Sequence, residues 1–213
     1  LPLHEAALFG CAVITGAGAV INTARILPGD SVAIVGLGGV GLSGLLGAVL
    51  GGAETIVAID LSDEKLGLAR QLGATHTVNA TDANHVEQVR DITDGGVDFA
   101  FDLAGTIKAM ETAYNVTRYG GSVVTAGLSP SAANFSFNQS NLVSQEKSIR
   151  GSYMGSCVPV RDIPRFISLY RQGRLPVDRL VDRTIGFDEL NASFDKLQSN
   201  ATVRQVLTPH GTA

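Results

Sequence analysis

The segment 30–52, DSVAIVGLGGVGLSGLLGAVLGG, constrains the fold more than any other part of the chain. Residues 30–36 form a continuous apolar run of strand length, and residues 39–52 follow as a helix rich in Ala, Leu and Gly. Between them lies a G-x-G-x-x-G motif with its glycines at Gly36, Gly38 and Gly41. A strand, this glycine turn and a helix, in that order, indicate the first βαβ unit of a dinucleotide-binding fold.

The rest of the chain continues the alternation of strands and helices. Apolar segments predict five further strands, at 55–60, 76–80, 97–104, 122–127 and 148–155. Helical patterns lie between them at 62–73, 84–93 and 106–118, the first with Ser62 as its cap. Strands that are apolar on both faces and joined by helices pair in parallel, with right-handed crossovers. We therefore predict an α/β fold: a doubly wound, six-stranded parallel sheet (Rossmann) with flanking terminal helices.

Three segments describe the predicted domain organisation. Residues 1–28 form a helical connection that its glycines interrupt. Residues 29–155 form the dinucleotide-binding domain, and residues 156–213 form C-terminal helices, at 160–173 and 187–199, with a returning strand packed on that domain. No segment is rich enough in Pro, Ser or charge to act as a linker between two domains.

The motif and the second strand predict which nucleotide is bound. Gly36 permits the tight turn, Gly38 lets the backbone approach a pyrophosphate, and Gly41 lets the helix pack on the strand. Asp60 ends the second strand, about 20 residues after the loop, where an acid accepts hydrogen bonds from an adenosine ribose. Its charge repels a 2′-phosphate, which favours NAD over NADP. Lys65 lies within reach of the same ribose; its alternative is a solvated surface lysine.

Net charge, apolar runs and cysteine content indicate which binding partners and which cellular compartment to expect. The net charge is −4 with no basic stripe, which argues against nucleic acid and anionic membranes. We expect no membrane span, because we find no apolar run of about 20 residues. The first residues lack the basic region of a signal peptide. Two cysteines without framework spacing fit a reducing compartment, so we predict a cytoplasmic protein.

Several longer segments carry a family resemblance. GCAVITGAGAVINTARILPGDSVAIVGLGGVGL, AIDLSDEKLGLARQLGAT, TDGGVDFAFDLAG and SFDKLQSNATVRQVL occur in the order and spacing of the zinc-dependent, medium-chain alcohol dehydrogenases. The chain resembles the coenzyme-binding half of that family, particularly class III, which includes glutathione-dependent formaldehyde dehydrogenase. The resemblance covers nearly the whole chain. It implies an NAD-dependent oxidoreductase that transfers hydride from an alcohol to NAD, with a small alcohol or aldehyde as substrate.

The resemblance also implies roles for individual residues. Thr15 and Val40 match positions beside the nicotinamide ring, Asp60 and Lys65 match the adenosine-ribose pair, and Arg204 matches an arginine that pairs with the pyrophosphate. Ala104 is smaller than the branched residue expected there. The complete set of predicted cofactor-binding residues is Thr15, Gly36, Gly38, Gly39, Val40, Gly41, Asp60, Lys65, Leu103, Ala104, Ala126, Gly127, Leu128 and Arg204.

Zinc is where this chain departs from the family pattern. Cys11 matches the third ligand of the catalytic zinc, but the family places its other ligands and its proton relay in a domain upstream of residue 1. The four histidines, His4, His76, His85 and His210, do not match ligand positions, and Cys157 is interpreted as a structural thiol. We therefore assign no catalytic residue to this chain. The missing initiator Met suggests a trimmed piece, and we expect it to bind NAD(H) without dehydrogenase activity, zinc being held only in the full-length enzyme.

Quaternary structure and alternatives complete the expectations. In this family the sixth strand lies at the sheet edge, and we predict a homodimer that pairs through residues 148–155. A polyol dehydrogenase of the same superfamily is one alternative, although such enzymes tend to carry Glu where Cys11 stands. Zinc-free quinone reductases would lack a ligand there. An alternative of another class is a non-catalytic NAD(H)-binding module that senses redox state or binds a partner.

Overall fold

A six-stranded parallel sheet forms the centre of the molecule. The computed structural model describes residues 1–198 and 203–209. Its strands are β1 Ser31–Val35, β2 Thr55–Asp60, β3 His76–Asn79, β4 Val97–Asp102, β5 Thr117–Thr125 and β6 Ser148–Gly151. They lie in the spatial order β3-β2-β1-β4-β5-β6, and all neighbouring pairs are parallel. The predicted doubly wound parallel sheet is confirmed.

Helices connect the strands and cover both faces of the sheet. Ser62, Thr106 and Asn138 each cap one of them, accepting a hydrogen bond from the backbone amide three residues later. Ser62 is the cap that the sequence predicts. The helices after the first strand span Gly39–Gly51, Asp63–Gln71, His85–Ile92, Ile107–Val116, Gln139–Ser144, Pro159–Arg171 and Leu190–Gln198.

Several boundaries differ from the sequence-based expectation. The fourth strand ends at Asp102 instead of residue 104, because the Asp102 side chain accepts hydrogen bonds from the next amides and turns the chain. The predicted helix 106–118 ends at Val116, and β5 begins directly at Thr117. The predicted strand 148–155 ends at Gly151, and the left-handed backbone of Met154, Gly155 and Ser156 forms a short 3-10 turn instead.

A second, smaller sheet lies near the C-terminus. It consists of β7 (Arg183–Ile185) and β8 (Gln205–Leu207), which pair in parallel. The sequence predicts a returning strand in this region but not β7, whose three residues are too few to show a pattern. Backbone hydrogen bonds from Asp182 to Arg204 and from Thr208 to Ile185 extend the pairing at both ends.

Two apolar clusters occupy the two faces of the main sheet. One joins the sheet to the N-terminal segment, the helix Gly39–Gly51 and the helix Pro159–Arg171, with Phe9, Leu45 and Phe166 fully buried in it. The other packs the opposite face against the helices His85–Ile92 and Ile107–Val116, through Val89 of the first and Met110 and Ala113 of the second. Helices on both faces explain why the central strands are apolar throughout.

The N-terminal helix spans Leu3–Ala24 and includes two π-helical segments, at Phe9–Val13 and Ala19–Ala24. By length and composition alone it could cross a membrane, so the expectation that no segment is long and apolar enough was wrong. However, 61% of its most apolar window is buried inside the protein. Its apolar character is accounted for by packing against the helix Gly39–Gly51 and the helix Pro159–Arg171.

Candidate nucleotide-binding site

The glycine loop follows β1 at the carboxyl edge of the sheet. Gly36 has φ +90°, a left-handed conformation that favours glycine, and its amide donates to the Ile59 carbonyl at 2.8 Å. A Cβ at Gly41 would lie only 1.7 Å from the Gly36 carbonyl oxygen, so the helix can start this close to the strand only with glycine there. At Gly38, in contrast, a Cβ would meet no atom within 4 Å.

The space beside Gly38 is therefore open at the point where the helix Gly39–Gly51 begins. The first amides of an α-helix have no acceptor within the helix, and the helix dipole adds positive potential. These features suit a pyrophosphate, which the backbone can approach because Gly38 has no side chain.

Asp60 lies at the carboxyl end of β2, beside this loop. One carboxylate oxygen accepts from the Leu37 amide at 2.6 Å, and the other accepts from the Ser62 amide at 3.0 Å. The carboxylate is therefore fixed at the loop, on the β2 side, and remains partly exposed. Lys65 follows in the helix Asp63–Gln71 and is only 9% exposed, so it is not a solvated surface lysine.

The opposite side of the crevice is formed by the ends of β4 and β5. The strand order reverses between β1 and β4, and ligands of doubly wound sheets bind outside the carboxyl ends at such a point. Leu103 is nearly buried and its amide donates to the Val35 carbonyl at 3.0 Å. The loops after β4 and β5 touch, since a Cβ at Gly127 would lie 2.3 Å from the Gly105 amide nitrogen. Ala104 and Leu128 are exposed, and Ala126 is partly buried.

The N-terminal helix brings Thr15 and Cys11 to the same region. A Cβ at Gly16 would lie 2.0 Å from the Val40 carbonyl oxygen, so this helix passes directly against the start of the loop helix. Thr15 and Val40 are both partly buried, and Cys11 is exposed. The close contact depends on glycine at position 16, which explains a glycine that disfavours helix formation locally.

Arg204 reaches the glycine loop from the C-terminal strand pair. Its guanidinium lies 3.1 Å from the position that a Cβ of Gly39 would take. The Asp182 carboxylate accepts from the Val203 and Arg204 amides at 2.5 and 3.0 Å and so holds this backbone in place. Burial lowers the pKa of Arg204, and the nearby Cys11 opposes that shift. A cation at this end of the helix complements a pyrophosphate.

Asp102 is a site residue that the sequence analysis missed. It is 2% exposed, and its side chain links the ends of β4 and β5 by accepting hydrogen bonds from the Ala104 and Gly105 amides and from the Thr125 hydroxyl. The signal in the sequence is an acid that interrupts the apolar run VDFAFDLA. An acid there is unusual because carboxylates are rarely buried without specific partners.

The described residues do not form a metal site by themselves. Within residues 1–198 and 203–209, no group of three or more His, Cys, Asp or Glu side chains could hold a metal ion. A zinc site needs three or four protein ligands, and Cys11 is a single free thiol. His4 and His76 are exposed, His85 contacts Asp82 and Thr112, and His210 lies outside the described residues.

The second cysteine, Cys157, is packed between elements. Its thiol donates to the Ile14 carbonyl at 3.3 Å and accepts from the Asn22 amide at 3.2 Å. Burial raises the pKa of Cys157, and Asp162 adds to the shift. These contacts agree with the interpretation of Cys157 as a structural thiol.

Known proteins share this arrangement. Residues 39–172 match the family model described as zinc-binding dehydrogenase. Benzyl alcohol dehydrogenase from Acinetobacter calcoaceticus is 34% identical with a TM-score of 0.94, over 98% of this chain and 57% of its own. An alcohol dehydrogenase zinc-binding domain protein from Burkholderia ambifaria is 34% identical with a TM-score of 0.94, over 99% of this chain and 56% of its own.

A more distant neighbour was solved with a nucleotide. It is a zinc-binding dehydrogenase from Sinorhizobium meliloti bound to NADP, 25% identical with a TM-score of 0.84, over 93% of this chain and 58% of its own. The present chain thus spans little more than half the length of these solved structures. The matched family model covers more than half of the chain, and the two structures at 34% identity superpose on nearly all of it. The chain belongs to the zinc-binding dehydrogenase family, as its nucleotide-binding domain.

Proposed function

We propose that this chain is the NAD(H)-binding part of a zinc-dependent alcohol dehydrogenase, which transfers hydride from an alcohol to NAD. The observation that carries the proposal is the glycine loop. Close packing leaves no room for a side chain at Gly41, whereas Gly38 faces open space at the start of a helix. The 34% identity to a benzyl alcohol dehydrogenase supports an alcohol as substrate. The sequence resemblance to class III enzymes adds S-hydroxymethylglutathione, the adduct of formaldehyde, as a candidate substrate.

The residues of this chain bind and orient the cofactor in this proposal. The amides after Gly38 and the Arg204 guanidinium hold the pyrophosphate, and Asp60 accepts hydrogen bonds from the adenosine ribose. The chemistry that a bound nicotinamide supplies is hydride acceptance. Leu103, which is nearly buried, and Gly127 would line the nicotinamide side of the crevice.

We propose NAD rather than NADP as the cofactor. Asp60 is fixed by two backbone amides, so it cannot easily turn away from a 2′-phosphate, and two negative charges there repel each other. Calorimetric titration should give NADPH at least about tenfold weaker binding than NADH, equivalent to about 1.4 kcal/mol. Equal affinities would contradict the assignment of NAD.

The loop itself is tested by a matched pair of glycine substitutions. Gly38→Ala places a methyl group where the pyrophosphate would lie but meets no protein atom, so it should weaken NADH binding at least about tenfold and leave the unfolding midpoint unchanged. Gly67→Ala, at an exposed position of the helix Asp63–Gln71 where a Cβ also meets no atom, is the control and should bind NADH normally. Unchanged NADH affinity in Gly38→Ala would contradict the proposed site.

A single candidate ligand limits what the chain does alone. Cys11 would be one ligand of a zinc site whose other ligands lie outside the described residues. We therefore propose that the 213-residue chain binds NADH but neither retains stoichiometric zinc nor oxidises short alcohols or S-hydroxymethylglutathione. Metal analysis and absorbance at the nicotinamide band test this. Turnover by the pure chain would contradict it. NADH binding without activity in a longer protein that contains this chain would favour the redox-sensing module.

We also propose a homodimer through the sheet edge at 148–155. Among the residues that the structure describes, β6 pairs with β5 alone, and the following turn exposes 79% of Tyr153. An open strand edge with an exposed aromatic residue beside it favours pairing with a second copy. Gly151→Glu adds a charge at a position where a Cβ meets no atom within 4 Å, and light scattering should show that it converts the dimer to a monomer. Gly67→Glu, on an exposed helix, adds the same charge away from the edge and should leave the dimer intact.

A further inference from the structure

The carboxylate of Asp102 is buried under the carboxyl edge of the sheet and is held by three hydrogen bonds. Its Oδ1 accepts from the amides of Ala104 and Gly105, each at 3.2 Å. Its Oδ2 accepts from the Thr125 hydroxyl at 2.9 Å. Both oxygens act as acceptors for neutral donors, as expected of an ionised carboxylate.

No cation compensates this charge within residues 1–198 and 203–209. The ion pairs of Asp98, Asp162 and Glu189 each involve an arginine, whereas Asp102 has only amide and hydroxyl partners. A buried charge normally has a counter-charge or a functional reason. The side chain is 2% exposed, so water does not screen it effectively.

Asp102 lies on the side of the crevice where the nicotinamide half of a bound dinucleotide would be expected. Asp60 lies at the end of β2, so an adenosine bound there leaves the other half of the dinucleotide to cross β1 toward the ends of β4 and β5. Asp102 is the last residue of β4. A Cβ at Gly127, which lines this side of the crevice, would lie 3.2 Å from the Asp102 Oδ1.

We propose that Asp102 is a positioning residue with an electrostatic role: it joins the loops after β4 and β5 and places a fixed negative charge beneath the nicotinamide half of the cofactor. This inference rests on the proposed NAD(H) site. The oxidised nicotinamide ring is a cation and the reduced ring is neutral. A fixed anion therefore favours binding of NAD⁺ relative to NADH, and the chain is biased toward the oxidised cofactor.

Two substitutions separate the charge from the loop geometry. Asp102→Asn keeps the size of the side chain, retains an oxygen for the Ala104 and Gly105 amides and presents an amide to the Thr125 hydroxyl, but it removes the charge. Thr125→Val keeps the charge and removes one hydrogen bond. Thermal unfolding first checks that both variants are folded.

The readout is the ratio of NAD⁺ affinity to NADH affinity for the 213-residue chain. NADH is followed by its own fluorescence, which no tryptophan of the chain obscures, and NAD⁺ and ADP-ribose by calorimetry. In Asp102→Asn, NAD⁺ binding should weaken about fivefold, an order-of-magnitude figure for one charge in a partly desolvated site. NADH should change little, and ADP-ribose, which lacks nicotinamide, should bind as in the wild type. In Thr125→Val, NAD⁺ and NADH should weaken together, with their ratio unchanged.

Each outcome bears on a different statement. An unchanged NAD⁺ to NADH ratio in folded Asp102→Asn would overturn the electrostatic role, and so would an equal loss of ADP-ribose binding. Wild-type protein that binds neither NADH nor ADP-ribose would instead overturn the proposed function, and this inference with it. A changed ratio in Asp102→Asn but not in Thr125→Val supports the proposal.

Discussion

Strand β4 has an aspartate at each end, and the two are stabilised in different ways. Near the amino end, the Asp98 carboxylate pairs with the Arg118 guanidinium at 2.5 Å and accepts from the Ser31 amide and hydroxyl at 2.7 and 2.6 Å. At the carboxyl end, Asp102 has neutral donors only. At the amino ends of the strands, the charge of Asp98 is compensated by Arg118. At the carboxyl ends, no described cation compensates the charge of Asp102, and the glycine loop is open. The proposed cofactor site and the compensated ion pair thus lie at opposite ends of the strands of one sheet.

The largest effect at the carboxyl ends of the strands is expected from a substitution of Gly41, which packs closely, and not of Gly38, which faces open space. Gly41→Ala places a methyl group 1.7 Å from the Gly36 carbonyl oxygen, so the loop must move. We expect a loss of about 3 kcal/mol or more in the free energy of unfolding, measured with urea, together with loss of NADH binding. Gly38→Ala, three residues earlier, should show no loss of stability, and equal destabilisation by both would contradict the distinction.

Asp98→Ala should lower the stability of the fold without affecting NADH binding. It removes the partner of Arg118 and leaves the Ser31 amide without its acceptor, which should lower the free energy of unfolding by about 2 kcal/mol. The ion pair contributes little of this, because half of the Arg118 side chain is exposed. NADH affinity, measured on the folded protein, should stay within about twofold of the wild type. A large loss of affinity would show that the two edges are coupled.

Acid should destabilise the amino edge through the same residue. Burial tends to raise the pKa of Asp98, but hydrogen bonds from Ser31 and Arg118 outweigh it and hold the pKa below its ordinary value of 3.8. As pH falls below about 4, the unfolded chain takes up this proton first, so stability is lost toward the lower pKa of the folded chain. Asp98→Asn should flatten urea-unfolding stability between about pH 4 and pH 2 relative to the wild type. Parallel curves would exclude Asp98 as a cause.

The smallest effect concerns Lys147, at the amino end of β6. It is 7% exposed, its ammonium donates to the Tyr114 carbonyl at 2.9 Å, and it lies 4.7 Å from the centre of the Tyr114 ring. Burial, with Arg90 nearby, lowers the pKa of Lys147 from 10.5 to about 8. Between these values the unfolded chain holds a proton that the folded chain has released, so this residue makes stability rise with pH.

A Lys147→Met variant isolates that contribution. Its stability curve should lack about 1 kcal/mol of the rise that the wild type shows between about pH 8 and pH 10. Guanidinium unfolding titrations of both proteins at several pH values measure this difference. Subtracting one stability curve from the other also removes the contribution of the other titrating groups. Identical pH dependence in the two proteins would show that Lys147 remains charged in the folded chain.

Much of this molecule could be predicted because its signals are local. The apolar run 30–36, the spacing of the three glycines and the acid at the end of the second strand all depend on neighbours in sequence. They predicted the parallel sheet, which the structure confirms, and the residues that line the crevice, which stay a prediction for cofactor binding. Predicted boundaries were wrong where a side chain intervened, as Asp102 does at the end of β4.

Three features required the tertiary structure because their partners are distant in sequence. Asp102 acts with Thr125, and Arg204 reaches Gly39 only after the chain has returned to the start of the domain. The apolar N-terminal helix passes a length and composition test for a membrane span, and only its packing shows that most of it is buried. The sequence by itself determined the doubly wound parallel sheet and the glycine loop, because hydrophobic periodicity and glycine spacing are patterns that extend over a few residues. Which buried acid has no cationic partner among residues 1–198 and 203–209 was decided by the tertiary structure, because charge compensation depends on which strands become neighbours.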